Sequence, residues 1–324
     1  MSEAYQEFLE ASGWGGAALT QIAGDLSARK FFRLRKGAKT AVLMVCAEPN
    51  DPSLAKFILI ADWLRNLGLS APEVFAADTQ DSLAILQDFG DSKLTALIAR
   101  DASIQKRAYG NIVDTLITIR GAKSPIGLDT PTVDDLCAAT RLTDEWYPGA
   151  DTQALDGVRT ELAAILTQTL KAQATVSLRD FHADNIIWLP DQSPAQRAGL
   201  LDFQDAFLTH PAYDLMSLLT DARTDVPQSV RDQITRLYCE RTGDDINQML
   251  QSMAALGIQR NLRILGIFTS AAIRDAKPYH LPSLPRVYSN LMTCAAHPAM
   301  GALGFSLRDA LPEPTPDYLA RITA

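Results

Sequence analysis

No apolar run in this sequence reaches the roughly 18 residues that a bilayer-spanning helix needs. The opening stretch, MSEAYQEFLEASGW, is acidic and polar, without the charged-then-apolar order of a secretory signal. Cysteine is sparse: Cys46, Cys137, Cys239 and Cys294 stand far apart, with neither a CxxC pair nor zinc-site spacing. They read as small buried hydrophobes of a reduced, cytoplasmic protein, and the four scattered histidines offer no metal cluster. Basic charge is also short. A formal net charge of -8 is the opposite of a nucleic-acid footprint, so neither a nucleic acid nor a membrane is an expected partner. What is present is an ordinary globular composition, 47% hydrophobic and 21% charged over 324 residues. That is enough for one large domain or two modest ones.

Residues 1–12 suggest a short amphipathic helix. Three strand-like stretches follow, Leu19–Ala23, Lys30–Arg35 and Thr40–Cys46, separated by the turns Gly24–Ala28 and Lys36–Lys39. Glu48–Pro52 breaks the pattern, and Ser53 can cap a helix to about Leu67, whose apolar positions recur at helical spacing. Val74–Ala77 and Leu83–Leu86 complete a β-β-β-α-β-β arrangement. Beyond Asp88 the texture becomes helical, with long helices expected at 93–120, 155–173, 213–223, 229–241 and 244–275. Strand signals recur there only at Thr175–Leu178, Asn185–Leu189 and Gly199–Leu201, the last two joined by a hairpin loop at Ser193–Gln196. The expected fold class is α+β: a small antiparallel-sheet lobe over residues 1–88 and a larger helical lobe over 89–324. A cleft between two lobes is the default place for a ligand.

The chemistry concentrates in one stretch. An apolar strand delivers Asp180, a short polar loop follows, and Asn185 opens a second apolar strand; a third strand then ends at Asp202. Three oxygen-bearing side chains thus sit at the ends of adjacent strands. Mg²⁺ takes such hard oxygen ligands and keeps several waters, while a carboxylate free of metal can accept a proton from a hydroxyl nucleophile. An Asp-x4-Asn pair alone arises about once by chance in a chain of this length at ~5% for each residue. The flanking apolar runs, His182 two residues after the Asp, and the Asp-Phe at hairpin distance make this one more than a solvated turn.

Arg179-Asp180-Phe181-His182-Ala183-Asp184-Asn185, with Leu200-Leu201-Asp202-Phe203 after it, resembles the catalytic and metal-binding loops of aminoglycoside phosphotransferases, a branch of the protein-kinase-like fold. Members usually show His-Gly-Asp-x-His-x-x-Asn here; Leu178 stands for the first His and Arg179 for a small residue. The segments Asp202–Ala206 and Pro211–Leu215 share the likeness. The resemblance implies a two-lobed kinase-like fold and an enzyme using ATP and Mg²⁺. By it, Asp180 is the catalytic base, Asn185 and Asp202 hold the metal on the phosphates, and Asp214 bonds backbone behind the loop. Within the family, Asp25–Arg33, Glu145-Trp146-Tyr147, Asp205 in its Asp-Phe-Gln-Asp-Ala setting, Gly257–Leu262, Gly266–Phe268 and Arg274–Pro278 look most like the anomeric kinases of N-acetylmuramate and N-acetylglucosamine.

There are departures. Kinases usually carry a Lys on the third strand and a Glu on the next helix. Met44 stands in the lysine's place, and the helix after Ser53 contains no Glu. Ser27, Arg29, Lys30 and Arg33, at and beside the first turn, are the candidates to meet the phosphates instead; the other reading of these cations is an exposed basic strand edge. Asp88-Phe89-Gly90 spells the kinase metal triplet but precedes Asp180, so it reads as the inter-lobe turn, with backbone near Leu86–Asp88 against the adenine.

Charge also bears on the substrate. Between Gly257 and Asn290 five basic residues, Arg260, Arg263, Arg274, Lys277 and Arg286, face one acid, Asp275. A polycationic aminoglycoside needs the reverse, whereas the lactyl carboxylate of N-acetylmuramate suits an arginine. Arg260 or Arg274 is expected to face the sugar, unless each lies on a solvated helix face. Glu145, Trp146, Tyr147 and Asp205 are the further substrate candidates, Trp146 and Tyr147 by stacking on a sugar ring or else by packing between helices. The expected activity is transfer of the ATP γ-phosphoryl to an amino sugar's anomeric hydroxyl in cell-wall sugar recycling. Two rivals remain: a kinase of another small hydroxyl compound, aminoglycosides included, and a nucleotide-binding regulator without catalysis.

Overall fold

The structure, a computed structural model, describes residues 3–22 and 29–323. The turn Gly24–Ala28, and Ser27 with it, lies outside them. Five antiparallel strands form the first sheet: β1 (Ala18–Ile22), β2 (Lys30–Lys36), β3 (Lys39–Val45), β4 (Val74–Asp78) and β5 (Leu83–Leu86), in the order β1-β2-β3-β5-β4. Alternation decides its two faces. Leu34, Ala41, Leu43, Val45, Leu83 and Ile85 point one way into a small core closed by Leu9 of the helix Glu3–Ala11. Met44, Ala84 and Leu86 point the other way, against Leu54 and Phe57 of the helix Pro52–Asn66. Asp51, not Ser53, caps that helix: its carboxylate accepts from Ser53 N at 2.8 Å, and Pro52 takes the first helical position, where its missing N–H costs nothing.

The rest is mostly helical. The region expected as one helix over 93–120 is two, Leu94–Arg100 and Ser103–Gly121, because Asp101 leaves helical geometry and turns its carboxylate onto Ser103 N at 2.9 Å. After the helix Thr152–Thr169 come four short strands in two pairs. β6 (Thr175–Ser177) pairs with β9 (Phe207–Thr209), which sequence pattern did not reveal, and β7 (Ile186–Trp188) pairs with β8 (Ala198–Leu200). The β7–β8 loop runs through Ser193–Gln196 as expected. The helix expected over 213–223 is Ala212–Leu219; Thr220 turns its hydroxyl back onto Met216 O and releases Asp221 for another task. Then follow Gln228–Thr242 and the long helix Ile246–Ile273, whose middle is buried on almost every side as the axis of this lobe. Among the described residues no helix is long and apolar enough to cross a membrane.

Candidate active site

β6 ends at Ser177, and the chain leaves it through a loop held from below by one buried carboxylate. Asp214 accepts from Ser177 Oγ at 2.6 Å, Leu178 N at 2.7 Å and Arg179 N at 3.2 Å. Burial pushes this carboxyl up to about 6, against the pull of those three bonds. Arg179 then adopts φ +69°, a left-handed conformation uncommon for a side chain of its size. Such strain persists only where the surroundings over-determine it, and here it turns Asp180 out of the strand direction. Downstream, Asp221 is buried at 1% exposure and accepts from Ala183 N at 3.2 Å and Arg223 N at 2.8 Å, fixing the loop's far side. Buried His182 places Nε2 3.2 Å from Arg223 Nη1 and 3.4 Å from Asn185 Nδ2.

The β7–β8 hairpin supplies the other two groups. Asn185 lies just before β7 and Asp202 just beyond β8, at the same end of the pair, where Leu201 N donates to Asn185 O at 3.0 Å. Asn185 Nδ2 donates to the Asp180 carbonyl at 3.0 Å, which leaves Oδ1 as the atom able to ligate a cation. Asp202 also has a left-handed φ, +56°. Gln204 Nε2 bridges Asp202 Oδ1 (2.9 Å) and Asp205 Oδ2 (3.1 Å), and Arg179 Nη1 stands 4.0 Å from Asp205. Asp202 keeps 45% side-chain exposure, but crowding raises its pKa, chiefly through lost solvent and further through the Asp180 charge. A bound cation would oppose this shift, as Arg29 already does in part. Among the described residues no group of three or more His, Cys, Asp and Glu could hold a metal. Two oxygen ligands still fit Mg²⁺, which completes its shell with water and substrate phosphate oxygens.

On the sheet side, Arg29 approaches Asp202 at 3.8 Å. Arg33 does not point the same way: it pairs with Asp88 at 2.8 Å and Asp91 at 2.6 Å, stapling β2 to the inter-lobe turn. Asp88 also accepts from Gly90 N at 2.9 Å, so Asp88-Phe89-Gly90 is a turn. Lys30 opens β2 exposed to solvent, and Leu86 is buried opposite Val42 and Val74. Met44, in the place where kinases usually carry their lysine on this strand, is 1% exposed and faces the core. The helix Pro52–Asn66 meets the metal loop through a ring contact instead, Phe57 stacked on Phe203 at 4.9 Å.

The substrate candidates separate. Glu145 is exposed, and Trp146 lies 5.8 Å under the Arg274 guanidinium, which also pairs with Asp275 at 2.8 and 2.9 Å. Tyr147 is buried, its ring 5.1 Å from Tyr318 and its hydroxyl donated to Pro312 O at 2.9 Å, which is the packing alternative. Arg260 is 3% exposed inside the lobe. Tyr213, Asp221 and Gln204 carry no local signal of their part beside these loops; Arg263, one of the five basic residues of this tract, is the second of two arginines in an otherwise uncharged helix.

A five-stranded lobe over a helical lobe, with Asp, Asn and Asp on two loops between them, defines a kinase of small molecules. The chain belongs to the phosphotransferase enzyme family, whose model matches residues 18–256. It is 35% identical to an N-acetylmuramate/N-acetylglucosamine kinase of Caulobacter vibrioides, over 91% of this chain and 93% of that protein. A protein of the same description from Pseudomonas aeruginosa is 27% identical over 95% and 93%. Solved structures share the fold at low identity. A choline/ethanolamine kinase family protein from Mesorhizobium loti superposes with TM-score 0.66 at 13% identity, covering 95% of this chain and 98% of that one. The GDP and kanamycin complex of APH(2″)-IIIa gives 0.67 at 12%, covering 89% and 99%.

Proposed function

We propose that this kinase transfers the γ-phosphoryl of ATP to the anomeric hydroxyl of N-acetylmuramate or N-acetylglucosamine, releasing the sugar 1-phosphate for reuse in the cytoplasm. The observation that carries the substrate is the end-to-end match to kinases described by those two sugars. The reaction rests on the loop geometry. Asp180, turned outward by the left-handed Arg179, accepts the proton of the attacking hydroxyl. Asn185 Oδ1 and Asp202 are the residues to hold Mg²⁺, which would neutralise charge on the phosphates. Arg29, beside Asp202, supplies positive charge in place of the lysine missing at Met44. Leu86–Asp88, the strand end and turn between the lobes, offers backbone to the base. Positioning and charge neutralisation supply most of the acceleration in such transfers.

The test is a phosphoryl-transfer assay with Mg-ATP on N-acetylmuramate, N-acetylglucosamine, their 1-O-methyl glycosides and kanamycin. Transfer to the free sugars but not the methyl glycosides, abolished by chelating the metal, is the expected result. Transfer to kanamycin alone would move the acceptor to the antibiotics.

A further inference from the structure

The long helix Ile246–Ile273 crosses the lobe with two arginines among its buried middle turns. Arg260 and Arg263 are three residues apart and share a face. Arg260 is 3% exposed, and among the described residues its Nη1 has no hydrogen-bond partner. No ion pair engages Arg263 among the described residues. Arg260 is buried and Arg263 half-buried; Asp221 lies within electrostatic reach of the first and Asp180 of the second, but among the described residues neither guanidinium holds a carboxylate in an ion pair, so a bound anion would complete the site.

Their position is set by helix packing. At Gly257 a Cβ would stand 3.6 Å from Met216 Cγ, so the long helix lies close on Ala212–Leu219 there. One turn further along is Arg260; one turn back from Met216 is Tyr213, buried at 3% exposure. The next residue, Asp214, is the carboxylate that holds Leu178 and Arg179. The arginine face of the helix therefore comes up beneath the catalytic loop. Tyr213 and Arg263 both feel the charges of Arg179 and Asp180, and burial, then Arg179, pulls the Arg263 guanidinium below its ordinary value. Arg179 stands 4.0 Å from Asp205. Arg260 and Arg263 thus stand on the helical-lobe side of Asp180, with Arg29 and Asp202 marking the nucleotide side.

We infer that Arg263, backed by Arg260, is the receptor for the carboxylate of an acidic amino sugar and sets the preference for N-acetylmuramate over N-acetylglucosamine. This rests on the amino-sugar reading above. A planar guanidinium takes a carboxylate through two parallel hydrogen bonds, and the neutral sugar leaves that position unfilled.

Two measurements test it. In Arg263→Gln, the ratio of kcat/KM for N-acetylmuramate to that for N-acetylglucosamine should fall by about tenfold or more, mainly through the KM of the acidic sugar, with Arg263→Lys in between. An equal fall for both sugars, as expected of an arginine on the transferred phosphoryl, would overturn the receptor, as would an unchanged ratio. The second needs no variant: wild-type enzyme should lose a similar factor on the methyl ester of N-acetylmuramate, and equal use of acid and ester would overturn the proposal. Wild-type enzyme that phosphorylates neither free sugar would instead sink the amino-sugar reading and the receptor with it.

Discussion

Asn185 Nδ2 donates to the main-chain carbonyl of Asp180 across 3.0 Å, so the metal-ligand candidate and the proposed base are held as one unit. The loop between them is pinned at both ends from beneath, by Asp214 and Asp221. Such a framework fixes where a carboxylate stands before any substrate arrives, which is what general-base catalysis requires of its scaffold.

Asp180→Asn keeps that framework and removes only the carboxylate proposed to accept the proton. Turnover should fall by about 10²- to 10⁴-fold while ATP binding, read by calorimetry, stays within a few-fold of wild type. Wild-type-like turnover in this variant would remove Asp180 from the chemistry.

Asp214 makes activity and stability depend on pH in opposite directions. Its folded value of about 6 lies above the ordinary ~3.9, so between those values the folded protein holds a proton the unfolded chain has lost. Its contribution to stability therefore declines as pH rises across that window and is level above it. The ionised form, however, is the one that accepts all three hydrogen bonds under the catalytic loop. The pH–rate profile should rise to a plateau above about pH 6. Asp214→Asn should lose that limb, and a wild-type profile flat from about pH 5 upward would contradict the assignment.

Arg33 and Asp88 keep only 16% and 6% side-chain exposure, so their pair counts for more than a surface bridge. Arg33→Met should cost about 2 kcal/mol, because Asp88 is left without its cation. Adding Asp88→Asn should recover part of that cost, and a double-mutant cycle by denaturant titration reads the coupling. Strictly additive losses would deny the pairing.

Gly266 permits the close approach of the long helix to Leu142–Trp146. A Cβ there would meet Leu142 C at 2.5 Å and Thr143 N at 2.6 Å, both main-chain atoms. Gly266→Ala should cost about 1–3 kcal/mol, seen as a lower Tm in calorimetry. An unchanged Tm would mean that the two helices separate without cost.

Much of this was legible in the sequence because the signals were local. The strand alternation of 30–45, the hairpin bringing Asn185 and Asp202 to one end, and the family's loop motif all lie within short stretches. Met44 reads as a missing lysine, and it is buried with no carboxylate on the helix Pro52–Asn66 but the one at Asp62. What escaped depends on distant partners. β9 is three residues long and has meaning only beside β6. The break at Asp101 comes from a single side chain choosing backbone over helix. Arg33 read as a phosphate contact because no pattern shows that Asp88 and Asp91 fold back to meet it. Tyr147 bonds Pro312, far along the chain, and Arg274 pairs with Asp275.

The central claim is that the anomeric oxygen accepts the phosphoryl group, and a heavy-oxygen label tests it. N-acetylglucosamine carrying the label at C1 is incubated with Mg-ATP and enzyme, and the product is read by phosphorus NMR. Attack by the anomeric hydroxyl places the label in the C–O–P bridge and shifts the phosphorus signal. A phosphorylated sugar with no isotope shift would mean that another hydroxyl had reacted, and the anomeric assignment would fall.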